Sequence, residues 1–366
     1  MKNKMVFLIT TPIIFIILVT ISFILIRNFY NNKSTSINNK EVKEVTTNEI
    51  NLNNESYEIK KGGIYTLTGS IKNGSITTNT DEDVKIVLNK VEINNDSGPC
   101  INIQGNGNTK IELVGENKLT SGTSYTDADI DGVIYSKADL TLLGDGTLEV
   151  TSNYEDGIVS KDDLEIKGGT IIVKSSDDAI KGKDSVTIEN ANITINAGGS
   201  GIKATNEEDF EKGYIVINSG DFNINAADNG IKSITKLTID GGTFNIKAAE
   251  GIESTYIVIN NGDITVSASD DGINASAKST FMTPTIEVNG GKINVTMDQG
   301  DTDAFDANGN LYINGGEIII NAQSAFDFDN EGKLNGGTVI VNGEEISELS
   351  NQMMGGPGGP MGPEPR

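Results

Sequence analysis

The chain has no histidine, no tryptophan and one cysteine, Cys100, among 366 residues. Without histidine, imidazole acid–base catalysis and imidazole metal sites are excluded. A lone cysteine can form neither an intrachain disulfide nor a thiolate zinc cage, so Cys100 reads as a small buried hydrophobe. Without tryptophan, the commonest platform for stacking a sugar ring is missing. Basic residues are scarce, 28 against 52 acidic ones, for a formal net charge of −24. That balance argues against nucleic acid, whose phosphates would be repelled. An acidic polysaccharide would be repelled too, unless cations bridge it or a local basic patch meets it. The ligand chemistry left is carboxylate and asparagine oxygen, which suits hard cations such as Ca²⁺. Aromatics make up only 5% of the chain while glycine reaches 42 residues. This composition fits a repetitive, turn-rich, all-β architecture built on Ile and Val.

Met5–Ile26 is a run of 22 residues without charge, preceded by Lys2 and Lys4. As a helix it would span roughly 33 Å, about one bilayer core. No small-residue cleavage site follows it, so residues 1–27 read as an uncleaved transmembrane anchor, with secretion after cleavage as the alternative. The flanking lysines place the short end in the cytoplasm and the rest on the extracellular face of the plasma membrane. Residues 28–48 read as a polar linker, 49–343 as the folded domain and 344–366 as a disordered Gly/Pro-rich tail. Nothing in the sequence sets the oligomeric state.

A short unit of an acid or polar residue, a small residue and isoleucine recurs along the domain. Its first residues are Asp131, Asp156, Asp178, Ser200, Asn229, Glu250, Asp271, Asp303 and Ser324, in steps of 25, 22, 22, 29, 21, 21, 32 and 21. The two long steps contain polar insertions, Asn206–Gly213 and Lys278–Pro284. Each period of 21–22 residues holds three short alternating runs, and Gly-Gly precedes the third, as at Gly290-Gly291 and Gly315-Gly316. Three strands per turn predict a single-stranded parallel β-helix of roughly a dozen coils, stacked about 4.8 Å apart. Ile158, Ile180, Ile202, Ile231, Ile252 and Ile273 are expected to form an inward column. Asn289, Asn314 and Asn335, before Gly-Gly, are expected to hydrogen-bond from coil to coil.

The residue after each isoleucine should face outward. That column places Lys181, Lys203 and Lys232 on consecutive coils, where like charges repel unless an anion offsets them. Asp156, Asp177, Asp178 and Asp228 are the local anions. The carboxylates themselves cluster: Asp156 with Asp177 and Asp178, then Asp228, then Asp270 and Asp271, and most densely Asp298, Asp301, Asp303 and Asp306, followed one coil later by Asp327 and Asp329. A single Asp-Gly is explained by turn chemistry. Doubled and clustered acids are costly without a counter-ion, so these residues are expected to ligate Ca²⁺. The three lysines are expected to face a ligand. No catalytic residue is assigned.

The stretch GGIYTLTGSIKNGSITTNTDEDVKIVLNKVEI, followed by DGIVSKDDLEIKGGTIIV and DDAIKGKDSVTI, resembles the bacterial cellulose- and pectin-binding β-helix proteins best known from clostridia, a family of carbohydrate-binding domain-containing proteins. The resemblance runs from about Glu49 to Gly343. It implies a right-handed helix, bound calcium, an extracellular location and non-catalytic binding of polysaccharide, either acidic and pectin-like or cellulose. Ser200 and Asn229 stand where that family commonly has Asp, which weakens a cation site at those two coils. Two other functions fit the sequence: a Ca²⁺-dependent polysaccharide lyase with a lysine base, and an adhesive surface rod.

Overall fold

The structure is a computed structural model that describes residues 47–300 and 302–351. The apolar run at Met5–Ile26, the linker up to residue 46, Asp301 and the tail from residue 352 lie outside the described residues. Every regular element among the described residues is a strand. No helix among them is long and apolar enough to cross a membrane.

The strands pair in parallel with partners one period away. Ile158 pairs with Ile180, Ile180 with Ile202, Ile202 with Ile231, Ile231 with Ile252 and Ile252 with Ile273. Phe305 and then Phe326 continue the column. Side chains alternate between core and surface along each strand, so a register of one period stacks every core residue on its counterpart. The column is fully buried. It belongs to a narrow sheet of 12 strands, one per coil. The other two strands of each coil form a 24-stranded sheet. Its two ladders are carried by columns such as Leu140–Leu164–Val186–Ile215 and Leu148–Ile171–Ile193–Phe222. Phe222 and Phe244 stack with ring centroids 4.5 Å apart, so two large rings fit within the interior. Cys100 lies buried in this core, and burial pushes its thiol up to about 12, which keeps it protonated.

The Gly-Gly corners follow from close approach. Gly291 and Gly316 have φ of 87° and 94°, and a Cβ at Gly316 would lie 2.8 Å from the Gly291 carbonyl. Only glycine meets both conditions. The asparagines beside these corners form the expected ladder. The amide of Asn289 donates to Asn260 at 2.9 Å, Asn314 to Asn289 at 2.9 Å and Asn335 to Asn314 at 2.8 Å, while Asn260 donates to Asp240 at 2.7 Å. Asn314→Ala removes two of these bonds and is expected to cost about 1 kcal/mol, because the ladder is exposed to competing water. A urea midpoint equal to that of the unaltered protein would reject the ladder as a stabilising element.

The strands do not stop at Gly343. Asn342 and Gly343, both at positive φ, form a two-residue hairpin turn that brings Glu344–Ile346 antiparallel against Thr338–Val341. The sequence reading treated residues from 344 on as tail and overlooked this Asn-Gly turn. At the other end, Thr47–Asn51 pairs with the strand Gly63–Ile71, so pairing begins two residues earlier than expected.

Candidate functional site

The outward column of the narrow sheet runs in register as Val159, Lys181, Lys203, Lys232, Glu253, Asn274, Asp306 and Asp327. Coil stacking thus brings three lysines, then a glutamate, then an amide and two carboxylates into one line. The chemistry changes along this line in three zones.

In the first zone the lysines are consumed by carboxylates. Lys181 lies 2.9 Å from Asp131 and in ion contact with Asp156, while Lys161 reaches Asp131 at 2.8 Å and Lys203 reaches Asp178 at 2.9 Å. The same carboxylates also receive backbone amides of the next coil: Asp178 N–H donates to Asp156 and Ser200 N–H to Asp178. Burial pushes Asp156 up to about 7 even though Lys181 opposes it. At Asp131 burial is outweighed by Lys181 and Lys161, which hold it below its ordinary value. Asp156, Asp177 and Asp178 offer oxygens all within 4.8 Å of one another. An ammonium already neutralises two of the three.

The middle zone centres on Glu253, whose side chain is 1% exposed. It pairs with Lys232 at 2.8 Å and Lys278 at 2.6 Å, and Asn229 and Ser276 donate to it at 2.9 Å each. These partners outweigh burial and bring Glu253 down to about 2. Its neighbour Glu250 goes the other way, to about 7, through burial and the Glu253 charge. The partner of Lys232 is therefore Glu253, on the following coil. Asp228, expected from the sequence as a counter-anion, is exposed, and its carboxylate accepts the Ser200 hydroxyl at 3.4 Å.

The third zone holds Asp271, Asn274, Asp303, Asp306 and Asp327. Among the described residues, no lysine or arginine forms an ion pair with Asp271, Asp306 or Asp327. Burial, then Asp271 and Asp327, push Asp306 up to about 7; burial lifts Asp271 to about 6. Asn274 is 7% exposed and spends its amide on Asp271 at 3.1 Å. Its carbonyl oxygen and one oxygen of Asp327 are buried with no hydrogen-bond partner. Buried acceptors without donors, beside carboxylates with raised pKa, are oxygens of the type that a cation can satisfy.

The remaining predicted ligands are less concentrated. Asp177, Asp270, Asp298 and Asp329 are exposed. Sequence reading missed Asp131, Glu253 and Asn274 as members of the site. It also missed a corner group, Asp139, Asp162 and Asp163, whose oxygens lie within 4.8 Å of one another. Burial and then Asp184 raise Asp162 to about 6. The repeated Lys-Ala-Asp139, Lys-Asp162-Asp163 and Lys-Asp184 at one position of successive periods could have revealed it.

Comparison with known proteins places the chain. A family model described as "carbohydrate-binding domain-containing protein" matches residues 53–300 and 250–352. A protein of that same description from Acetivibrio thermocellus is 33% identical over 153 residues, which are 39% of this chain and 54% of the relative. The match thus spans about half the length of that curated relative. A solved gadolinium derivative of a polysaccharide lyase-like protein from C. thermocellum superposes with a TM-score of 0.46 at 24% identity, covering 83% of this chain and 99% of that one. With nearly all of its described residues inside the family match, the chain belongs to the carbohydrate-binding domain-containing protein family.

Proposed function

We propose that the chain binds an acidic, pectin-like cell-wall polysaccharide without cleaving it, through Ca²⁺ held on the narrow sheet around Asn274, Asp306 and Asp327, while anchored at the outer cell surface by its N-terminal apolar run. One observation carries this reading: the buried, undonated oxygens of Asn274 and Asp327 beside the raised carboxylates of Asp271 and Asp306. These oxygens, with Asp303 on the same face, are the donor type that Ca²⁺ takes, about six to eight at a time, leaving positions for sugar carboxylates. When bound, the ion would supply the positive charge that lets a uronate chain lie against an acidic surface. Asn274 and Asp271 orient each other through their hydrogen bond, and Asp303 N–H fixes Asp271 from the next coil at 3.3 Å.

Binding is favoured over elimination by the state of the lysines. A lysine base needs a lowered pKa. Burial acts in that direction on Lys181 and Lys232, but Asp156 with Asp131 outweighs it at Lys181, and Glu253 at Lys232, so both are held protonated above the usual value. The test is calorimetric titration of the full chain in detergent with Ca²⁺, then with polygalacturonate in the presence and absence of Ca²⁺. Uronate binding seen only with Ca²⁺ is the expected result. Calcium binding with no polymer binding would leave the ion a structural role and favour the adhesive rod. Formation of unsaturated sugar, followed by ultraviolet absorbance, would make the chain a lyase.

A further inference from the structure

Two exposed phenylalanines stand apart from everything used so far. Phe210 is 54% exposed and Phe281 56%, yet their ring centroids lie 5.7 Å apart. Each sits in one of the two polar insertions, the segments that lengthen their coils to 29 and 32 residues. Both insertions leave the same corner: the first joins Ile202–Ala204 of the narrow sheet to Tyr214–Ile217, and the second joins Ile273–Ala275 to Thr285–Val288. The two corners between them are short, Ser233–Thr235 and Thr255 alone. The insertions thus start three coils apart, about 14 Å along the axis, and lean together over those corners until their rings touch. In a solenoid, insertions gather on one face, which is often the binding face.

The loops are tied at their bases. Asn206 accepts the amides of Glu208 and Asp209 at 3.0 Å and donates to Asp184 at 2.6 Å, while Thr255 accepts the Ser279 amide at 2.8 Å. A fixed loop presenting a ring to water loses little entropy when a ligand covers it. Met282 and Thr283, which follow Phe281, form one wall of an open groove floored by Tyr256, Tyr312 and Asn310, with Lys236 at its rim. Tyr256 and Tyr312 have hydroxyls fixed by Glu287 at 2.9 Å and Glu331 at 3.0 Å, so their rings are held in place. The result is aromatic surface interleaved with hydroxyl, amide and carboxylate groups, which matches a polyol with apolar ring faces.

The charge around the pair selects among such ligands. Glu207, Glu208, Asp209 and Glu211 surround Phe210. Two of the nearby cations are committed, Lys212 to Asp184 and Lys278 to Glu253, which leaves Lys236, over the Tyr256 ring at 5.8 Å. A uronate chain would meet predominantly like charge here, with four carboxylates beside Phe210 against that one exposed lysine. We propose that the Phe210–Phe281 platform and the adjoining Tyr256–Tyr312 groove form a second saccharide site, independent of Ca²⁺, that takes an uncharged polysaccharide through its ring faces. This rests on the reading that the chain binds polysaccharide, and it assigns a separate site from the calcium face.

The test compares the full-length protein in detergent with the double variant Phe210→Ala/Phe281→Ala and with Tyr256→Ala, using sedimentation with microcrystalline cellulose and titration with cellohexaose, each with and without EDTA. Both phenylalanines are exposed, so the double variant is expected to keep the parent's thermal midpoint and its calcium-dependent behaviour with polygalacturonate. Cellulose and cellohexaose binding is expected to weaken about tenfold or more in the double variant, with no effect of EDTA on either protein. Unweakened binding in the double variant would overturn the proposal, as would loss of cellulose binding in EDTA or failure of the parent to bind either glucan. Loss of self-association alone would assign the pair to a contact between copies and also overturn it. Failure of uronate binding with glucan binding intact would overturn only the calcium-face reading.

Discussion

Lys181→Met is expected to lower the stability of the folded chain by about 3–5 kcal/mol, because it strands the buried Asp156 carboxylate and leaves Asp131 with Lys161 alone. Methionine keeps the aliphatic volume of the lysine stem and removes the charge. Asp156, 1% exposed, is then left to the repulsion of Asp178 and Asp131 with no ammonium of its own. The sign of the pH dependence follows from linkage. Burial already raises Asp156 to about 7 with Lys181 present, well above the unfolded value, so its ionised form opposes folding. Without the ammonium it must hold a proton more tightly. Both proteins lose stability between about pH 4 and 7, where folded Asp156 keeps its proton, so the deficit between them opens as pH rises through about 7 and is larger at pH 8 than at pH 5. Calcium should recover part of it, since Asp156, Asp177 and Asp178 lie close enough to share an ion once the ammonium has gone. Urea unfolding at pH 5 and pH 8, with and without millimolar Ca²⁺, measures all three effects. A deficit equal at both pH values would mean that methionine packing, not charge, sets the loss.

Asp306→Asn should act in the opposite direction on the calcium-free protein. Asp306 is raised to about 7 by burial and by the surrounding carboxylates. Between about pH 4 and 7 the folded chain holds a proton that the unfolded chain releases, so folding weakens as pH rises through that window. Asparagine removes the charge and should stabilise the calcium-free protein at pH 8 by about 1 kcal/mol, discounted because the carboxylate is partly exposed. If the proposed site binds Ca²⁺, the parent protein should gain about 2.7 kcal/mol with the ion at a hundred times its dissociation constant. The variant should lose most of that gain, because the carboxylate at the centre of the Asn274–Asp306–Asp327 column is neutral. Thermal melts with EDTA and with Ca²⁺, at pH 5 and 8, give the four values needed. A variant that calcium stabilises as much as the parent would move the ion away from this column.

The core was legible in the sequence because period and stacking are the same information. Once the isoleucines repeat every 21–22 residues, register places Ile180 on Ile158 and Lys203 on Lys181 without further assumption. The pairing of charges was less legible. Asp228 was expected among the anions that offset the lysines, but it lies just before the strand Asn229–Lys232 and is exposed, while Glu253, one coil on, pairs with Lys232 at 2.8 Å. Lys181 reaches Asp131, 50 residues earlier, because the coil there carries an extra residue that shifts Asp131 out of the repeating register. Side-chain reach across coils depends on rotamer and corner shape, which a repeat alignment does not contain. Asn274 escaped notice for a simpler reason. An amide in a column of charges looks like a neutral interruption, whereas its buried carbonyl oxygen makes it part of the site.

The antiparallel strand Glu344–Ile346 bears on how the molecule behaves in a crowd. A stack of parallel coils ends in an open row of backbone donors and acceptors, and a second copy could continue that row indefinitely. Here the last rung of one ladder is met by a strand running backwards, three residues long and carrying Glu344 and Glu345. On the narrow sheet, Asn351 donates to the carbonyl of Phe328 at 2.8 Å. Reversed polarity, brevity and negative charge make a poor template for end-to-end growth. The same geometry that lets the chain add coils by simple repetition thus meets, on this ladder, a rung that disfavours the addition of whole molecules.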